Sequence, residues 1–222
     1  MKLKDKKVLF LGDSITEGVG TTMVNGTHEG YRFPDLFAKN TGAIAYNYGI
    51  SGTRIARQKE PSENPKWDKY FGQRVDEMNR EADIVVVFGG TNDFGHGDAP
   101  LGNFDSRDEF TFYGALHTLI QKIICKYPQS VLVFLTPLHR ITENNELNSF
   151  NKRVAAPLKK YVEVIKEVCE YYSVPVLDLY SVSGLQPAIE CIKDIYMPDG
   201  LHPSDAGAMR IAQRLEAFLT SL

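Results

Sequence analysis

At 222 residues and 43% apolar composition, the chain can bury one sizeable core, and a single domain spanning 1–222 is expected. Its net charge of −3 argues against a nucleic-acid groove or an anionic membrane surface as the main partner. No apolar run approaches the roughly 18 residues of a membrane helix, and the run after the basic start at Lys4, Lys6 and Lys7 is too short for a signal peptide.

That short run, Val8 to Leu11, reads as a strand buried on both faces, and it stops at Gly12. Gly30 to Thr41 places Tyr31, Phe33, Leu36 and Phe37 at near-helical spacing. Ala43 to Tyr48 is a second strand, and the polar residues 54–66, with Pro61 and Pro65, read as a surface loop. Trp67 to Arg80 carries a helical pattern, and Ile84 to Phe88 is a third strand closed by Gly89 and Gly90. Gly95 to Asp108 is too long for an ordinary turn after a strand and reads as a functional insertion. Phe110 to Tyr127 is helical, Val131 to Leu135 a fourth strand, and Asn151 to Tyr172 a long helix with an irregularity at Pro157. Val174 to Leu179 is a fifth strand, and Ser204 to Leu222 a final helix with Ile211, Leu215 and Leu219 on one face. This alternation implies an α/β fold: a parallel sheet with helices on both faces and the flavodoxin-like strand order 2-1-3-4-5. Strand 1 then sits at the switch point, where ligands bind at the carboxyl ends of the strands.

The chemistry-bearing residues collect at that edge. Ser14 leaves the first strand, although Asp13 and Ser14 could equally cap the helix that follows. A serine needs a base to take its proton, and the base needs a partner to hold its tautomer. Asp199-Gly200-Leu201-His202-Pro203 offers both, because Asp199 and His202 face each other across one turn. Asn92, after the third strand, can donate to an oxyanion without bringing charge, and Gly52, after the second, lets a backbone N–H approach a ligand. His139 and Arg140 follow the fourth strand on the same edge. Asp13, Arg54 and His139 are the substrate-binding candidates. His28, His96 and His117 lack ligand spacing, so neither a metal nor any other cofactor is expected. The three cysteines, Cys125, Cys169 and Cys191, lack CxxC spacing and read as buried, reduced thiols, consistent with a cytoplasmic protein.

On these residues the chain resembles the SGNH or GDSL hydrolases over nearly its whole length. Gly12-Asp13-Ser14-Ile15-Thr16 resembles the family's first block, with Ile15 where the family's name has leucine. Ser51-Gly52, Gly90-Thr91-Asn92-Asp93 and Asp199-Gly200-Leu201-His202 resemble the later blocks. The resemblance implies a three-layer α/β/α sandwich. It also implies Ser14 as nucleophile, His202 as base and then acid, and Asp199 as the orienting carboxylate. The oxyanion donors would be the Ser14 and Gly52 N–H groups and the Asn92 amide.

The expected activity is therefore that of a serine esterase on a small-molecule ester. The polar loops 54–66 and 95–108 favour a short acyl group on a polar or carbohydrate-like alcohol, since a long chain needs an apolar groove. A lipase, lysophospholipase or thioesterase of the same family, a non-catalytic binding module and a flavin binder are the alternatives. The oligomeric state and the role of 95–108 are left open.

Overall fold

The computed structural model describes all 222 residues, Met1–Leu222. Five strands form one sheet in the order β2-β1-β3-β4-β5: β1 (Lys7–Gly12), β2 (Ile44–Gly49), β3 (Ile84–Phe88), β4 (Val131–Leu135) and β5 (Val176–Leu177). Every pairing is parallel. In register, Val8 lies opposite Ala45 on one side and Ile84 on the other.

The helices are α1 (Ser14–Glu17), α2 (Phe33–Thr41), α3 (Phe71–Arg74), α4 (Thr91–His96), α5 (Phe112–Lys126), α6 (Leu158–Tyr171), α7 (Leu179–Val182), α8 (Glu190–Tyr196) and α9 (Asp205–Ser221). Side chains alternate across a strand, so the sheet buries two separate cores. Leu9, Leu11, Val85 and Val87 pack with α3, α5 and α6 on one face. Val8, Phe10, Val86 and Phe88 pack with α2 and α9 on the other. Phe10 meets Phe33 and Phe37 edge-on at centroid distances of 5.6 and 5.7 Å. Burying each such ring stabilises the fold by about 2 kcal/mol.

The helix ends follow their sequence signals. Thr111 caps α5 by accepting from the Gly114 N–H, and Ser204 caps α9 by accepting from the Gly207 N–H. No helix is long and apolar enough to cross a membrane.

Several sequence expectations need correction. Trp67 to Arg80 is not one helix but a 3-10 turn at Pro65–Asp68, the short α3 and a second 3-10 turn at Val75–Glu77. Tyr70 is extended between them, and the Phe71 N–H donates to the Arg54 carbonyl. The long helix begins at Leu158 rather than Asn151, since Pro157 disfavours helical backbone at the residue before it. Asn151, with φ at 57°, belongs to the preceding loop. The fifth strand keeps only Val176 and Leu177, the residues paired with Phe134 and Leu135. Cys169 is buried, but Cys125 and Cys191 are exposed, the latter on α8, which buries no residue. The 95–108 stretch is packed down: Phe104 lies 5.1 Å from the His117 ring, and Asp98 accepts from the Lys59 and Glu60 N–H groups.

Candidate active site

The site forms where β1 turns into α1. A Cβ on Gly12 would fall 1.9 Å from Thr16 Oγ1 and 2.9 Å from the Phe88 carbonyl, so only glycine allows this tight turn. Asp13 then caps α1, its carboxylate accepting from the Ile15 N–H at 3.0 Å. Ser14 opens the helix, where the first-turn N–H groups have no intrahelical acceptor.

His202 Nε2 lies 3.0 Å from Ser14 Oγ, and His202 Nδ1 lies 2.7 Å from Asp199 Oδ2. The other Asp199 oxygen accepts from the Leu201 and His202 N–H groups at 2.8 and 2.7 Å, which fixes the turn. Burial pushes the Asp199 carboxyl up, but the hydrogen bonds from the His202 ring and the two N–H groups prevail and hold it below its ordinary value. An ionised Asp199 keeps the imidazole proton on Nδ1 and leaves Nε2 free to accept from Ser14.

Gly52 and Asn92 converge from the next two strands. Gly52 has φ at 75°, and its backbone N–H has no acceptor in the protein. A Cβ there would fall 2.1 Å from the Trp67 ring. Asn92 sits in the first turn of α4, after the left-handed Gly90. Its amide donates to the Thr53 carbonyl at 3.0 Å, which orients the group and leaves the second N–H unused.

Three supporting residues have no role assigned from the sequence, although Asp93 closes one of the resembling blocks and Arg140 follows the fourth strand. Asp93 accepts from the Ile55 and Ala56 N–H groups at 3.0 and 2.8 Å, pinning α4 to the segment after Gly52. Burial pushes its carboxyl up to about 6. Arg74, buried beneath the site, donates to the Tyr48 and Gly12 carbonyls at 2.8 and 2.9 Å. Burial lowers its guanidinium to about 10. Arg140 donates to the Thr91 carbonyl at 3.1 Å.

The structure thus brings Ser14, His202, Asp199, Gly52 and Asn92 to one edge of the sheet. The three substrate-binding candidates lie differently. Asp13 is 1% exposed and turned inward to its cap. Arg54 is 3% exposed and lines a pocket beside α4. His139 donates through its Nδ1–H to the Glu143 carboxylate at 2.8 Å, with its ring 3.8 Å from that of Tyr180, and bonds to neither Ser14 nor His202. No cluster of His, Cys, Asp and Glu could hold a metal ion.

Asp13 makes a pH-dependent contribution to stability. Burial raises its carboxyl from 3.8 to about 7, against the pull of the Ile15 N–H and Arg74. Its folded form resists ionisation, so Asp13 lowers stability progressively as pH rises from the unfolded value through 7. Asparagine caps a helix as well as aspartate. Asp13→Asn should therefore gain in Tm relative to the parent as pH rises from 4 to 8, read by thermal melts; a difference constant with pH would contradict this.

Residues 10–210 match the model of the GDSL-like Lipase/Acylhydrolase family. The chain is similar to a crystal structure of a protein from Lactobacillus plantarum, with 31% identity and a TM-score of 0.79 over 99% of this chain and 98% of that one. A further solved chain is 36% identical, with a TM-score of 0.84 over 100% of this chain and 99% of its own. The lipase/acylhydrolase from Enterococcus faecalis is 19% identical, with a TM-score of 0.63 over 97% of this chain and 96% of its own, a likeness of fold alone. None of the curated proteins matches the chain.

Proposed function

The chain belongs to the GDSL-like lipase/acylhydrolase family, and on that premise we propose that it is a serine ester hydrolase working through an acyl-enzyme on Ser14. The observation that carries this is the hydrogen-bonded relay from Asp199 through His202 to Ser14, at 2.7 and 3.0 Å.

In this reading Ser14 Oγ attacks the ester carbonyl as His202 Nε2 takes its proton. Asp199 stabilises the imidazolium that forms. The Ser14 and Gly52 N–H groups and the Asn92 amide receive the charge on the carbonyl oxygen. His202 then returns the proton to the departing alkoxide, and water repeats the sequence to free the acid. Release of p-nitrophenol from p-nitrophenyl acetate, with an initial burst matching the enzyme concentration, tests the acyl-enzyme; no turnover would leave a binding module on this fold.

Asn92→Ala should lower kcat by about a hundred- to a thousand-fold with KM little changed, because the oxyanion exists only past the ground state. A rise in KM at constant kcat would instead make Asn92 a contact to the bound substrate.

We assign the substrate as an ester of a short acyl group and a polar, carbohydrate-like alcohol. The pocket lined by Arg54 and His96 supports the preference against a long hydrocarbon acyl chain, since Phe150 is its one hydrophobic lining residue. Each buried methylene is worth about 0.8 kcal/mol, and a polar pocket forgoes that gain. In a p-nitrophenyl series from two to twelve carbons, kcat/KM should be highest for acetyl and propionyl. The exposed Ile141 and Leu147, at 55% and 51%, favour a second reading, a lipid ester; a kcat/KM that climbs with chain length would select it.

A further inference from the structure

His96 ends α4, four residues after Asn92 and so on the same helix face. Its Nδ1 lies 3.3 Å from Arg54 Nη1, and a guanidinium can only donate. Nδ1 is therefore the acceptor, and the ring proton sits on Nε2. Arg54 itself is held in place, donating also to the His96 carbonyl at 3.0 Å and to Gln58 at 3.2 Å. The His96 ring packs between Trp67, at 5.0 Å, and Phe150, at 6.0 Å. Burial, with the charges of Arg54 and Arg140, lowers its pKa to about 4, so the ring is neutral at physiological pH. Nε2 has no hydrogen-bond partner in the protein and is not among the fully buried unpaired atoms. His96 and Arg54 line a pocket of about 300 Å³.

None of the residues that line this pocket belongs to the turn that carries His202. Met197 and Ala208, on either side of the catalytic turn, are buried in the core of one sheet face. Phe94 of α4 and Ala99 just beyond it are buried in the core of the other. The departing alkoxide must take its proton from His202 Nε2, so the alcohol lies on the His202 side. The oxyanion is held by Gly52 and Asn92, and the acyl chain is the substituent left to pass them toward the pocket, which adjoins both donors: His96 stands one turn after Asn92, and the Trp67 ring that packs on His96 lies against Gly52.

Resting on the serine-hydrolase reading, we propose that this pocket receives the acyl chain and that the His96 Nε2–H donates to an oxygen on it. His96 is then a specificity-determining residue that selects oxygenated over plain hydrocarbon acyl groups. Glu60, Glu63 and Asp98 face Arg54 and Lys152 in the pocket, which disfavours an acyl anion and points to a neutral hydroxyl, ether or carbonyl oxygen.

The test compares p-nitrophenyl hexanoate with isosteric esters in which an oxygen replaces the fourth or fifth chain atom. One neutral hydrogen bond should give the better-placed ether about a five- to tenfold higher kcat/KM, expressed in KM. His96→Phe keeps the ring stack and loses the donor, so that preference should vanish; His96→Gln, which restores an N–H near the same place, should recover part of it. The ¹⁵N shifts of His96 in the unaltered protein should report Nε2–H at pH 7, unchanged down to pH 5. No preference for either ether, a preference that survives His96→Phe, or a proton on Nδ1 would each overturn the proposal while leaving the hydrolase reading intact. Failure to cleave any ester in the series would overturn both.

Discussion

Ser14→Ala is expected to abolish ester hydrolysis and leave the fold intact. The change removes one oxygen from a side chain whose only side-chain partner is His202. Nothing in either core depends on it, and the cap on α1 comes from Asp13 rather than Ser14. The helix, the turn and both other oxyanion donors therefore stay in place. Loss of a serine nucleophile removes about a million-fold in kcat, since no neighbouring group can accept the acyl chain in its place. Assay on p-nitrophenyl acetate should lose both burst and steady state, while the melting curve and circular dichroism match the parent. A variant that retains more than a few per cent of turnover would exclude Ser14 as the nucleophile.

Asp199→Asn should be the second most damaging change, for a different reason. The retained oxygen can still accept from the Leu201 and His202 N–H groups, so the turn survives. The new amide, however, would face His202 Nδ1 across the present 2.7 Å contact. An amide N–H there makes Nδ1 the acceptor and moves the ring proton to Nε2. That nitrogen then donates toward Ser14 Oγ and cannot take its proton. The same tautomer error in other serine hydrolases costs about ten-thousand-fold in kcat. Because Asp199 lies at the surface, the melting temperature should hardly move. A loss under tenfold would mean that the imidazole is oriented by something other than Asp199.

The sheet was legible because its strands are short, unbroken apolar runs between glycines and polar turns. Val8 to Leu11 and Ile84 to Phe88 could be little else, and their alternation with helical patterns fixes the parallel order. The residues gathered at the sheet edge were legible for the same reason, each following a strand end or preceding the last helix. Failures came where local pattern yields to tertiary demand. Trp67 to Arg80 has helical spacing, but the chain breaks there and buries Arg74 under the β1 and β2 ends. α4 spans only Thr91–His96, too short to show a period, so the alignment of Asn92 with His96 was invisible. The contact between Arg54 and His96 joins positions 42 apart and leaves no local trace.

Ser14 and His202 stand 188 positions apart, one leaving the first strand and the other entering the last helix. Their contact closes one of the longest loops the chain can make, and such closures come late in folding. A refolding molecule can thus complete its sheet while still lacking a base. The turn that carries His202 runs directly into α9, which docks on α2 and is tied at its start by Asp205, whose carboxylate accepts from the Thr22 N–H and hydroxyl at 2.7 and 2.6 Å. Partial opening of that one helix would carry His202 away from Ser14 with the strands still paired. If Ser14 and His202 carry the proposed hydrolysis, turnover reports α9 docking, separably in time and temperature from the melting of the sheet.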